Sequence, residues 1–180
     1  MLASTKKILT KARIGNYAVG HFNINNMEIL QAIISAATKL KSPIILGTSE
    51  GAIKYAGINY LYNLANTAAK ETKVPIALHL DHGKDLEVIK KAIKIGYSSV
   101  MFDGSHLNFE KNVEITKQIV KLAHRKGISV EAELGTIGGV EDNVSSKNII
   151  YTSPDKAKEF VEKTGCDFLA IAIGTSHGAH

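Results

Sequence analysis

Short apolar runs alternate with longer amphipathic stretches along this chain, and that alternation limits the folds open to it. Tyr17–Phe22, Pro43–Gly47, Pro75–Leu78, Ser98–Phe102, Ile128–Glu133 and Phe168–Ile173 read as six strands. Several are apolar at consecutive positions, which suits strands covered on both faces, as in a parallel sheet. The intervening segments have helical period. Phe109, Val113, Thr116, Ile119, Val120 and Ala123 share one face, and Gly127 follows. Ser153-Pro154-Asp155 opens another helix with a cap residue, a proline and an acid; Ala157, Phe160, Val161 and Thr164 turn inward and Gly165 ends it. A leading helix over roughly residues 2–14 precedes the first strand. Repeated strand–helix units predict an α/β fold, either a (β/α)8 barrel or an open doubly wound sheet. Neither Gly-x-Gly-x-x-Gly nor the Walker lysine loop is present, which favours the TIM barrel. Six strands are about six of the eight βα units that a barrel of about 250 residues requires. The expectation is one barrel domain over residues 1–180, incomplete before its last strands.

Composition narrows the function. Lys and Arg number 22 against 17 Asp and Glu, a net charge of +5, but lysines such as Lys70, Lys84, Lys117 and Lys158 are dispersed and read mostly as a solvated surface. With 6% aromatic residues and no tryptophan there is little for bases to stack on, so nucleic acid is not expected as a partner. The longest wholly apolar run, Phe168–Ile173, is six residues against the roughly 20 that span a bilayer, so no membrane partner is expected either. No signal-peptide pattern follows the basic N-terminal residues, and the single cysteine, Cys166, precludes an internal disulfide; a cytoplasmic location is expected.

Each apolar run leads into polar or titratable residues. These are Asn23, Asn25 and Asn26; Thr48, Ser49 and Glu50; His79, Asp81 and His82; Asp103, Ser105 and His106; Glu131 and Glu133; and the Gly174–Gly178 tip with His177. Barrel active sites are assembled at the C-terminal ends of several strands, so this convergence marks one site. Any one of these residues taken alone reads as a loop or cap residue. In Leu78–Gly83, adjacent Asp81 and His82 can divide two tasks, the imidazole holding a metal and the carboxylate moving a proton. Two imidazoles with carboxylates suit zinc or another divalent cation, although a third firm ligand is not evident. His79 reads as a packed strand residue and His21 as a core or supporting one. His106 and His124 read as surface or cap residues, His180 as a loop residue and Cys166 as a small core hydrophobe.

Five segments carry a resemblance. Tyr17–Asn26, Thr48–Ala52, Leu78–Gly83, Glu131–Asp142 and Ala172–Gly178 are similar, in order, to the class II, metal-dependent fructose-bisphosphate aldolases, over that family's N-terminal two-thirds. The resemblance implies a zinc-dependent (β/α)8 barrel, a homodimer or homotetramer, acting on a sugar bisphosphate in glycolysis and gluconeogenesis. Carried over by motif, His82 and His177 are zinc ligands and Asp81 is the acid/base at the C4 hydroxyl. Asp103 and Glu133 belong to a second or alternative location of a divalent or monovalent cation. Glu141, on a glycine-rich loop with Gly138 and Gly139, moves the proton at the dihydroxyacetone-phosphate carbon. Gly178 contacts dihydroxyacetone phosphate, and Asn23 and Ser49 contact the aldehyde end. The family's third zinc histidine, its glycine-serine phosphate loop and its Asn-containing motif have no counterpart in residues 1–180. Tagatose 1,6-bisphosphate is the alternative substrate, and an inactive partial barrel that binds only metal or phosphate is the alternative from another class.

Overall fold

The computed structural model describes residues 1–141, 144–146 and 149–177, with side chains for 1–137 and 149–175. Six parallel strands form its main sheet in the order β1 (Gly20–Asn23), β2 (Ile44–Ser49), β3 (Ile76–Gly83), β4 (Ser99–Phe102), β5 (Ser129–Leu134), β8 (Phe168–Ile171). The sheet curls into part of a barrel with helices outside. Seven helices accompany it among the described residues: α1 (Thr5–Ile14), α2 (Met27–Leu40), α3 (Glu50–Ala56), α4 (Ile58–Glu71), α5 (Leu86–Ile95), α6 (Phe109–His124) and α7 (Pro154–Thr164). None is long and apolar enough to cross a membrane.

Helix boundaries follow local chemistry. Asn26 and Asn108 accept backbone N–H bonds from Ile29 and Lys111, both at 2.9 Å, and so cap α2 and α6. Gly96 and Gly165, in the left-handed region, end α5 and α7. The leading helix starts at Thr5 because Ser4 caps it. Its C-terminal turn also claims Tyr17, whose N–H donates to the Ala12 carbonyl, so the first strand begins at Gly20 and not at Tyr17.

Period-two alternation sorts the sheet's side chains onto two faces. Leu46, Leu78, Leu80, Val100 and Val130 point outward into a core with Leu61, Ala65, Ile89, Ile93, Ile119 and Phe160. Full burial of each such side chain contributes about 1.5–3 kcal/mol. The alternate residues Ile45 and Ala77 meet Ile8 of α1, which packs against the opposite face of the sheet. Further along that face the lining is polar, with His79, Ser99, Asp103 and Glu133 all buried.

Two strands depart from the expectation of apolar, two-sided burial. β2 and β4 are buried throughout, but among the described strands β1 and β8 pair on one side only; Phe22, Ile171 and Ile173 are exposed. The last run therefore supplies strand only over Phe168–Ile171. His21, read as a core or supporting residue, is exposed on β1. The segment expected to be a loop around Glu141 instead contains β6 (Gly138–Glu141), antiparallel to β7 (Val144–Ser146) and parallel to β9 (Ser176–His177).

Gly83 is required by its surroundings. A Cβ there would lie 2.6 Å from the Met101 carbonyl oxygen and 3.0 Å from Ile89 Cγ1. Gly83→Ala is expected to destabilise the fold by about 1–3 kcal/mol, read as a lower urea midpoint at unchanged slope. An unchanged midpoint would show that β4 yields without strain.

Candidate metal centre

The site begins with an irregularity in β3. Leu80 pairs with Val100 and Gly83 with Phe102, so three steps on β3 match two on β4. The extra residue makes a bulge, and His82 takes up the deviation with φ 46°, in the left-handed region where a histidine is uncommon. In a regular strand Asp81 and His82 would face opposite sides. The bulge turns His82 toward the same polar face. There its Nδ1 lies 3.3 Å from Asp103 Oδ2 and 3.4 Å from Glu133 Oε2.

Asp103 follows β4 directly, and its backbone N–H donates to the Gly83 carbonyl. The Ser105 hydroxyl donates to its Oδ1 at 2.6 Å and the Ser105 N–H at 3.2 Å. Glu133 lies near the end of β5, where Asn112 Nδ2 donates to its carbonyl oxygen at 2.9 Å. Lys84 Nζ stands 3.6 Å from Asp103 Oδ2.

Electrostatics within this cluster are strongly coupled. Burial alone would lower the His82 pKa, but the carboxylates of Asp103 and Glu133, with Asp81 nearby, hold it up to about 10. Burial would likewise raise Asp103, yet His82, Ser105 and Lys84 keep it well below the usual carboxylate range. Deeper in the sheet, burial pushes His79 down to about 3, helped by His21 and His82. The His79 Nδ1 bonds the Ser99 hydroxyl at 2.8 Å, and that hydroxyl meets Thr5 Oγ1 of α1 at 2.9 Å. Glu131 is raised to about 7 by burial first and by Asp81 second.

The donor set fits a metal ion. His82, Asp103 and Glu133 each bring one ligand atom to within 4.8 Å of the others. Glu133 Oε2 is buried and makes no well-formed hydrogen bond, its contact with His82 Nδ1 being 3.4 Å long, and a cation would complete its environment. One imidazole with two carboxylates suits zinc or another divalent ion of similar hardness. Asp81 stands outside this donor group.

The description "Fructose-bisphosphate aldolase class-II" belongs to the family whose sequence pattern matches residues 3–180. The chain belongs to this family. The chain is 52% identical to the fructose-bisphosphate aldolase of Giardia intestinalis over 180 residues, covering 99% of this chain and 55% of that protein. It is 50% identical to the fructose-bisphosphate aldolase of Thermus caldophilus, covering 100% of this chain and 59% of that one. The crystal structure of the YdjI aldolase from Escherichia coli K12 superposes with a TM-score of 0.87 at 39% identity, over 98% of this chain and 64% of that one. The chain thus spans less than two thirds of the length of these relatives. The class-II aldolase family is metal-dependent.

In this aldolase-family chain the structure brings only some of the expected residues together. Asp81 pairs in register with Ser49, whose hydroxyl accepts the Ala52 N–H at 3.1 Å and caps α3. Asn23 ends β1 opposite Gly47. A Cβ at Gly47 would collide with His21 and with the Asn23 amide oxygen, so that glycine makes room for both. Glu141 and His177 lie on the paired strands β6 and β9, with their side chains outside the described set, and Gly178 lies outside the described residues. Asp103 and Glu133, expected at a second or alternative cation location, share one cluster with His82. Sequence reasoning did not single out Lys84, which it grouped with the solvated lysines; its place directly after Leu78–Gly83 was the available signal. It also missed what Glu50 does: Oε1 accepts the backbone N–H groups of Lys84 and Asp85, each at 2.7 Å.

Proposed function

We propose that this chain carries the metal-binding half of a class II aldolase that reversibly cleaves fructose 1,6-bisphosphate to dihydroxyacetone phosphate and glyceraldehyde 3-phosphate. The observation that supports this most is the His82–Asp103–Glu133 cluster beside Asp81 at the C-terminal ends of adjacent strands. A divalent ion held by that cluster, zinc by preference, would supply Lewis-acid stabilisation of the charge that develops on the ketone oxygen. His177 is the further ligand implied by motif. Asp81 takes the proton from the C4 hydroxyl as the C3–C4 bond breaks, and the aldehyde leaves with its new C=O bond. The electron pair left on the C3 side is quenched by a proton from Glu141. By motif, Gly178 contacts dihydroxyacetone phosphate, and Asn23 and Ser49 hold the aldehyde end, where Asn23, Ser49 and Tyr55 line an open cavity of about 330 Å³. The functional form is a cytoplasmic homodimer or homotetramer.

A second reading has its own support. The chain spans 55–64% of the relatives' length, and β1 and β8 each leave one edge unpaired among the described strands. An inactive partial barrel that binds only metal or phosphate would look the same. Cleavage assays on fructose and tagatose 1,6-bisphosphates, with and without chelator, decide. Chelator-sensitive cleavage that favours the fructose sugar is expected. Equal rates on both sugars remove the fructose preference, and metal binding without cleavage favours the second reading.

A further inference from the structure

We propose that Lys84 sets the metal affinity of this site, its ammonium acting as a tethered cation that competes with the divalent ion for the Asp103 carboxylate. The inference rests on His82, Asp103 and Glu133 being the ligands. Lys84 Nζ is 3.6 Å from Asp103 Oδ2, the same oxygen that faces His82 Nδ1 at 3.3 Å. Any ion taken up by the cluster through that oxygen therefore meets a positive charge already placed on it. Asp103 is 1% exposed, so solvent screens this contact poorly, whereas the Lys84 side chain is 35% exposed and has water to retreat into.

The lysine is held at this corner from behind. Glu50 Oε1 accepts the N–H groups of Lys84 and Asp85 at 2.7 Å each, which fixes the backbone immediately after the bulge. The side chain beyond that fixed backbone is 35% exposed. When the ion enters, the ammonium yields its share of Asp103 and turns outward; when the ion leaves, it returns and adds its charge to the compensation that His82 and the Ser105 hydroxyl already give the buried carboxylate. The result is a site whose metal-free form is stabilised and whose metal exchanges more readily than the ligand set alone would allow.

The test is Co²⁺ titration of the 180-residue chain, followed by visible absorption and calorimetry, for the unaltered protein, Lys84→Met and Lys84→Arg, with His82→Asn as the control for binding at this cluster. Removing a like charge beside a dication is expected to tighten binding about tenfold in Lys84→Met. Lys84→Arg, which keeps the charge, is expected to stay within about twofold of the unaltered chain. Lys84→Met binding no tighter, or Lys84→Arg tightening as much as Lys84→Met, overturns the competition. If Co²⁺ binding is absent, or is unchanged by His82→Asn, the metal-site reading itself fails and the role of Lys84 fails with it.

Discussion

Under the proposed aldolase reading, replacing Asp81 with alanine in a complete-length version of the protein is expected to lower fructose 1,6-bisphosphate cleavage by about 10²- to 10⁴-fold, the range that positioned proton transfer contributes. Over the same change, metal content should hold, with affinity falling by less than about tenfold. The separation of the two effects comes from geometry: Asp81 stands outside the group of donor atoms formed by His82, Asp103 and Glu133. It influences His82 and Glu131 through space, as a charge and not as a ligand. Steady-state kinetics and metal analysis on one preparation check this. Parallel loss of metal and turnover would move Asp81 into the ligand set.

His82 should show its effect without any substrate present. In the metal-free chain its pKa rises from 6.5 to about 10, because two carboxylates outweigh the burial that would lower it. A raised pKa stabilises the fold fully below the unfolded value of 6.5, and that stabilisation is lost as pH rises through about 10. The maximum is about 5 kcal/mol, and the part of the Asp103 shift that comes from His82 describes the same contact and is not added to it. Asp103 acts at the other end of the scale: its contribution is present above its unfolded value and is lost as pH falls through its depressed folded value. Urea unfolding of the metal-free chain should therefore show stability falling between pH 7 and 10, and His82→Asn should flatten that slope. A flat profile in the unaltered chain would mean that the imidazole is not charged in this cluster. Divalent-ion affinity of the unaltered chain should rise over the same pH range, since the ion must displace a proton from His82.

The six strands and the outer helices were legible because each is a short-range pattern. Consecutive apolar residues mark β2 and β4, and the Ser153-Pro154 start with Gly165 beyond marks α7. The edge strands were harder. Phe168–Ile173 has the composition of a buried strand, but burial depends on neighbours that a linear pattern does not specify. The candidate site was legible as a collection of residue types at strand ends. Its internal arrangement was not, because it depends on one inserted residue: nothing in Leu78–Gly83 announces that β3 gains a step on β4. That step brings His82 to Asp103 and Glu133, and Lys84 to Asp103 just behind it. Glu50 was equally hidden, since its partners are 34 and 35 residues away.

The donors His82, Asp103 and Glu133 come from β3, the residue after β4, and β5, and each of these strands is bonded to a neighbour on both sides. Fraying is expected to start where a strand has one neighbour among the described strands, at β1 and β8, and opening there need not reach the centre. Amide protons around His82, Asp103 and Glu133 are accordingly expected in the slowest-exchanging part of the sheet, and those of β1, with Asn23 at its end, in the faster part. Asn23 can therefore be released by opening β1 alone, whereas separating His82, Asp103 and Glu133 requires opening strands that are paired on both sides.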